Sequence, residues 1–315
     1  MDERTVKRVA LSALASSLFM FAAQVRAWDA FGHLVVADLA WQALKPATRD
    51  KVAALLTRNP DYDQWVKNVP AAKRDEYAFM RASTWPDDIK RDDVRFTDEG
   101  DSATGPKAAR NVGYSDVLRH RYWHYIDFPF SPDGTPLADA GPVNIQTQIH
   151  AFRQTLKSAG ASERLKSYDL VWLIHLVGDA HQPLHSTSRF TQALPHGDRG
   201  GGLVNVCPAA CETKNPSLHA FWDDLLGTTD DRAQAHAVAT SLGPANPAAV
   251  AVDDEHVWLE ESFALAKSDV YVAPIGTGSG PFALTSTYQT KARAIAQDRV
   301  ALAGARLARV IEESF

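Results

Sequence analysis

Cysteine is scarce here. The 315-residue chain has two, Cys207 and Cys211, four positions apart in one stretch. A lone CxxxC does not make a zinc site, so the pair reads as a short disulfide pinning a loop, in a chain that leaves the reducing compartment. Long apolar runs are lacking too. Beyond residue 27 nothing approaches the ~18 apolar residues of a spanning helix, which excludes a membrane anchor in the mature chain and implies a soluble protein. An excess of positive charge is missing as well. Lys and Arg number 33 against 38 Asp and Glu, a net −5, and such a chain does not draw polyanions by its overall field. Strand signals are few, and neither an internal repeat nor a low-complexity linker is present. What remains is one mainly α-helical domain, large for a single core but suited to many helices packed around a buried site.

The first 27 residues stand apart. Lys7 and Arg8 form a basic start, Val9 to Ala23 is apolar but short, and Val25-Arg26-Ala27 offers small or aliphatic residues at the positions a signal peptidase reads. Cleavage after Ala27 would leave residues 28–315, beginning at Trp28, in a secreted or periplasmic protein. That segment has 29 Lys and Arg against 36 Asp and Glu, a net −7. If it acts on phosphates, bound cations must supply the attraction. Three divalent ions would contribute +6.

Helical periodicity and stop signals predict helices from His33 to just before Pro46, and over 46–58, 71–82, 143–158, 163–180, 217–226, 230–241, 253–267 and 286–313. Segments 90–121, 187–216 and 273–280 read as loops. Ser217 is the expected cap of its helix.

The most informative stretch is Val171-Trp172-Leu173-Ile174-His175-Leu176-Val177-Gly178-Asp179-Ala180-His181-Gln182-Pro183-Leu184-His185. On a helix His175 and Asp179 lie one turn apart on one face, and Pro183 should end the helix with His185 just beyond. His219 and Asp223 repeat the HxxxD spacing on a second helix. Asp87 sits in Thr84-Trp85-Pro86-Asp87-Asp88-Ile89-Lys90, His124 in Trp123-His124-Tyr125-Ile126-Asp127 (a short strand or loop), and His33 six positions into the mature chain. Each alone has a structural explanation. Together they have the composition of a zinc site.

These segments, in this order from Trp28 to Asp223, resemble the zinc-dependent, single-strand-specific nucleases and 3′-nucleotidases of the S-one/P-one type, related in fold to bacterial zinc phospholipase C. The resemblance implies a helical domain around three Zn²⁺ ions. One ion would be held by Asp87, His124, His175 and Asp179. Its close neighbour would be held by the amine and carbonyl of Trp28, by His33 and by the second oxygen of Asp179, and the third by His185, His219 and Asp223. It further implies in-line attack on phosphorus by a water ionised between the paired zincs, with Asp87 orienting it and Lys90 neutralising phosphoryl charge. Tyr125 and Asp127 would hold the terminal base by stacking and hydrogen bonding, and stacking on an unpaired base favours single strands. The expected substrates are RNA, single-stranded DNA and 3′-nucleotides, the products 5′-nucleotides, and the enzyme a monomer.

The sequence departs from the pattern after Gly197-Asp198-Arg199-Gly200-Gly201, where Gly202 and Leu203 stand in place of the family's usual Asn. Glycines 200–202 read as a flexible loop, and His181 as a residue either packed behind the ligands or at the surface. The close rival is a zinc phospholipase C, whose last ligand pair ends in Glu where this chain has Asp223. A zinc-storage protein would have no use for Lys90 or a base platform, and a purely structural helical domain would bind no metal.

Overall fold

The computed structural model describes residues 28–315; the proposed leader lies outside the described residues. Its centre is a helix that is apolar on nearly every side. Glu163–Asp179 is buried continuously from Ser167 to its end, as a helix enclosed by others must be. Ser162 caps it by accepting from Leu165 N, and it stops at Asp179, four residues before Pro183. Burying Val171, Trp172, Leu173, Ile174, Leu176 and Val177 completely contributes on the order of 10 kcal/mol gross, at ~2 kcal/mol per side chain. That gain offsets the cost of enclosing His175 and Asp179 on the same helix.

In chain order the helices are α1 (Ala30–Ala43), α2 (Pro46–Leu56), α3 (Tyr62–Val66), α4 (Arg74–Ala82), α5 (Trp85–Asp88), α6 (Ile145–Lys157), α7 (Glu163–Asp179), α8 (Leu218–Asp223), α9 (Arg232–Ser241), α10 (Pro247–Val250), α11 (Glu255–Leu265) and α12 (Ser286–Glu312). The molecule is a mainly helical single domain. α6, α12, α2, α5, α1 and α4 surround α7, and α1 is itself wedged between α12 and α9. Glycine at 304 permits the α1–α12 approach, because a Cβ there would lie 2.5 Å from Leu39 Cβ. Strand is confined, among the described residues, to two parallel pairs of two residues: β1 (Pro129–Phe130) with β2 (Ser188–Arg189), and β3 (Val206–Cys207) with β4 (Phe282–Ala283). The Cys207–Cys211 disulfide forms at the end of β3.

Two readings left open are narrowed. Of the strand or loop expected at 123–127, the structure shows no strand: a 3-10 turn over Arg121–His124 precedes extended backbone at Tyr125. The turn is entered through His120 at φ 47°, where Asp101 accepts from its backbone N–H at 2.7 Å and its ring stacks on Trp123 at 3.6 Å. These anchors come from the 90–121 excursion and leave no local signature. His181, in turn, is not at the surface. It is fully buried, donates Nδ1–H to Val177 O (2.7 Å) and accepts from Arg306 of α12 at Nε2 (2.9 Å).

Candidate metal centre and its cleft

At the end of α7, Asp179 faces histidines from three other segments. Its Oδ2 lies 3.0 Å from His124 Nδ1 and 3.1 Å from His175 Nε2, and its Oδ1 lies 3.2 Å from His33 Nε2. Asp87 Oδ1 approaches the same His175 and His124 nitrogens at 3.8 and 3.9 Å. The ring of His33 stacks on that of His175 at 3.8 Å, and neither of its nitrogens has a hydrogen bond. His175 Nδ1 contacts Ser83 O at 2.6 Å; a carbonyl only accepts, so this nitrogen carries the proton. The unprotonated Nε2 is thereby aimed at His124 Nδ1, 2.9 Å away.

A second group repeats the device. His185 Nδ1 donates to His124 O and His219 Nδ1 to Gly200 O, both at 2.7 Å. The two Nε2 atoms therefore turn lone pairs toward each other across 3.1 Å. Asp223 Oδ2 is 3.5 Å from His219 Nε2, while its Oδ1 accepts from Gln182 Nε2 at 2.6 Å. Facing lone pairs repel unless a cation lies between them. Backbone carbonyls that fix an imidazole's tautomer and turn its other nitrogen toward a shared point are the usual support of metal-binding histidines. The donor set fits a metal.

Around His33, His124 and Asp179 the electrostatics agrees, while against the cost of its burial the Asp179 and Asp87 carboxylates raise His175 above the ordinary imidazole range. Burial pushes the His33 imidazole down to about 4, with neighbouring His175 adding to it, and burial with the Lys90 charge pushes His124 down to about 3. Both are held in the neutral, metal-binding form. Burial works against ionisation of Asp179, but His175 and His185 overcome it and keep the carboxylate well below its usual range. Burial raises Asp223 well above that range. A further grouping, Asp38, Glu76 and His236, lies on α1, α4 and α9 and is separate from this centre.

Residues 28 and 29, the first described, close one side. Trp28 is fully buried and donates its indole N–H to Gly178 O at 3.0 Å; Asp29 N donates to Asp223 O at 3.3 Å. Gly178 leaves room for His33, whose Nδ1 would lie 3.0 Å from a Cβ there.

Above the centre opens a cleft of about 570 Å³. Lys90 lines it, buried, with Nζ 2.6 Å from Asp87 Oδ1; its carbonyl accepts from Arg121 Nη2 at 3.2 Å. Tyr125 and Asp127 line it too, on a strip fixed by Ile126 N donating to His185 O (2.9 Å) and Ile145 N donating to Tyr125 O (3.1 Å). Burial, with repulsion from Asp198, pushes the Asp127 carboxyl up to about 6. On the remaining side, glycines 200–202 are pinned where a flexible loop was expected. Gly200 has φ +57°, and a Cβ there would run into Leu184 O. Its neighbour Arg199 is a non-glycine residue at φ 56°, a conformation costing roughly 1 kcal/mol.

The structure thus brings Trp28, His33, Asp87, His124, His175, Asp179, His185, His219 and Asp223 to one floor, with Lys90, Tyr125 and Asp127 around the opening. Sequence reasoning missed Gln182, Ser83 and Gly200, which orient ligands through an amide or a carbonyl. Of these only Gly200 left a trace, in the glycine run.

Such a molecule falls in the class of helical proteins that gather His/Asp metal-binding groups beneath an open cleft. The S1/P1 nuclease family model matches residues 28–315, nearly the whole chain. The chain belongs to that family, and its function is that of a nuclease, a phosphodiesterase. No curated protein matches it.

Proposed function

We propose that the chain is an exported zinc-dependent enzyme that hydrolyses RNA and single-stranded DNA to 5′-nucleotides and removes phosphate from 3′-nucleotides, working as a monomer. The observation that carries the metal part is the 3.1 Å approach of the His185 and His219 Nε2 atoms, each opposite a carbonyl-bound Nδ1. In this reading three Zn²⁺ ions are held, one by Asp87, His124, His175 and Asp179, one by the Trp28 amine and carbonyl with His33 and Asp179, and one by His185, His219 and Asp223. When bound, these ions would supply Lewis-acid neutralisation of the phosphoryl oxygens and ionise water near neutral pH.

The protein's own groups do the rest. Asp87 is the catalytic carboxylate: one oxygen fixes Lys90, and the carboxylate can orient the attacking water. Lys90, buried and so held, sets a positive charge where the phosphoryl group gains negative charge in the transition state. The ring of Tyr125 offers a stacking face and Asp127 a carboxylate to the base next to the scissile bond. Only a base that has left its duplex can use them, hence single-strand preference.

Support for export comes from the Cys207–Cys211 disulfide and from the absence of any described helix long and apolar enough to cross a membrane. The family match begins at Trp28, the residue that leader cleavage would expose.

The test is hydrolysis of denatured DNA, RNA and 3′-nucleotides by the 28–315 protein with zinc, with chelator, and with zinc restored, beside a phosphatidylcholine arm. Zinc-restorable release of 5′-nucleotides is expected. Cleavage of lipid without nucleotides would transfer the site to the phospholipase reading.

A further inference from the structure

Three groups around the cleft have no work to do within the protein. Asp127 is partly buried and lines the cavity, yet its carboxylate makes no hydrogen bond or ion pair with any described residue. The Tyr125 hydroxyl is in the same position. The guanidinium of Arg199 is also unpartnered, on an exposed residue at the cleft rim whose backbone is nevertheless held: Asp198, one residue before, is buried and accepts from Arg189 N at 2.9 Å, and Gly200, one residue after, carries the carbonyl bound by His219. A left-handed backbone kept at a non-glycine residue beside a ligand cleft is strain placed where a site needs it. Other charges facing the cavity are committed, Lys90 to Asp87 and Arg121 to Asp98, and Asp139 sits on an exposed loop. Asp127 and Arg199 line the same cavity and form no ion pair with one another.

An aromatic face, two carboxylate acceptors and a forked donor define a base edge. Guanine alone presents two adjacent donors, N1–H and N2–H, to match both oxygens of a carboxylate. Adenine and cytosine set one amine beside an acceptor nitrogen, and uracil flanks its single N–H with carbonyls. Guanine's next edge carries O6 and N7, the acceptor pair that a guanidinium reads in bidentate fashion. Resting on the nuclease reading above, we infer that the subsite for the base next to the scissile bond selects guanine, with Tyr125 stacking on the ring, Asp127 accepting from N1–H and N2–H, and Arg199 donating to O6 and N7.

The experiment compares kcat/KM of the zinc-loaded 28–315 protein on the 3′-monophosphates of guanosine, inosine, adenosine, cytidine and uridine at pH 8. Guanosine should lead adenosine by roughly tenfold or more, the scale of one bidentate base contact. Inosine, which lacks only the N2 amine, should fall between them. Asp127→Asn replaces one acceptor by a donor and should bring the guanosine-to-adenosine ratio to within about threefold. Arg199→Gln should reduce the inosine-to-adenosine ratio, and calorimetric titration with guanosine 5′-monophosphate should show its affinity loss directly. Equal rates on all five substrates, or a ratio unmoved in both variants, would overturn guanine selection while leaving the nuclease reading intact. Failure to hydrolyse any of the five with zinc present would instead strike the 3′-nucleotidase part of the proposed function, and base selection would then be read from the guanosine 5′-monophosphate titration alone.

Discussion

Single residues decide this site through atoms that carry no side-chain identity. His219 is aimed by the carbonyl of Gly200, and Gly200 can occupy that place because it has no Cβ to meet Leu184 O and tolerates φ +57°. Gly200→Ala should therefore lower the melting temperature and weaken zinc affinity by ten- to a hundredfold, the usual cost of losing a ligand's supporting contact. Metal titration by calorimetry reads it, and unchanged affinity would remove the carbonyl from the argument. The ligand types themselves were legible, since His175 with Asp179 and His219 with Asp223 repeat the one-turn spacing of a helical face. Ser83 was not, because any residue offers a carbonyl. Nor was Gln182, whose partner Asp223 lies 41 residues away.

At the level of elements, periodicity and caps located most of the helices. Ser217 accepts from Ala220 N as its position implied, and α7 and α12 end within a residue of expectation. What periodicity left open, between strand and loop, was the turn carrying His124, whose conformation is imposed by Asp101 and Asp116 from a segment with no periodicity of its own. The short helices α3 and α10 were missed for a related reason: four or five residues give too little repeat to see. α7 also bears a titration handle away from the metal centre. Burial pushes the Asp169 carboxyl from 3.8 to about 7, while Asn111 donates to both its oxygens at 2.7–2.8 Å and ties the 90–121 excursion to the helix. Between about pH 4 and pH 7 the folded state keeps a proton that the unfolded chain has released, so this residue's contribution to stability falls as pH rises through that window. Denaturant melts of metal-free wild type and Asp169→Asn should show the wild-type advantage shrinking from pH 4.5 to 7.5. A difference that stays flat would exclude the effect.

For the whole molecule, the architecture was legible as an all-helical domain around a buried centre, since a core helix dense in imidazole and carboxylate can be stable only if something neutralises it. In the proposed ligand set, the part played by Trp28 depends on removal of residues 1–27. Trp28 is sealed against Gly178, and in the proposed ligand set its amine must offer a lone pair. An amide nitrogen still bonded to Ala27 has none to give. Full-length protein that retains residues 1–27 should thus bind fewer zinc ions than the 28–315 form and turn over substrate at least tenfold more slowly, measured by metal analysis and 3′-nucleotide hydrolysis side by side. Equal metal content and rate would remove Trp28 from the ligand set.

Arg199 and Gly200 are consecutive, one turned to the cleft and the other gripping His219, and their shared stretch of backbone is pinned by buried Asp198. Whatever steadies one steadies the other. If a nucleotide is drawn onto Arg199 and an ion onto His219 as proposed, any coupling carried by this stretch would be reciprocal: each occupant would change the affinity for the other by the same factor, and the loop would work as a lever with a hand at either end.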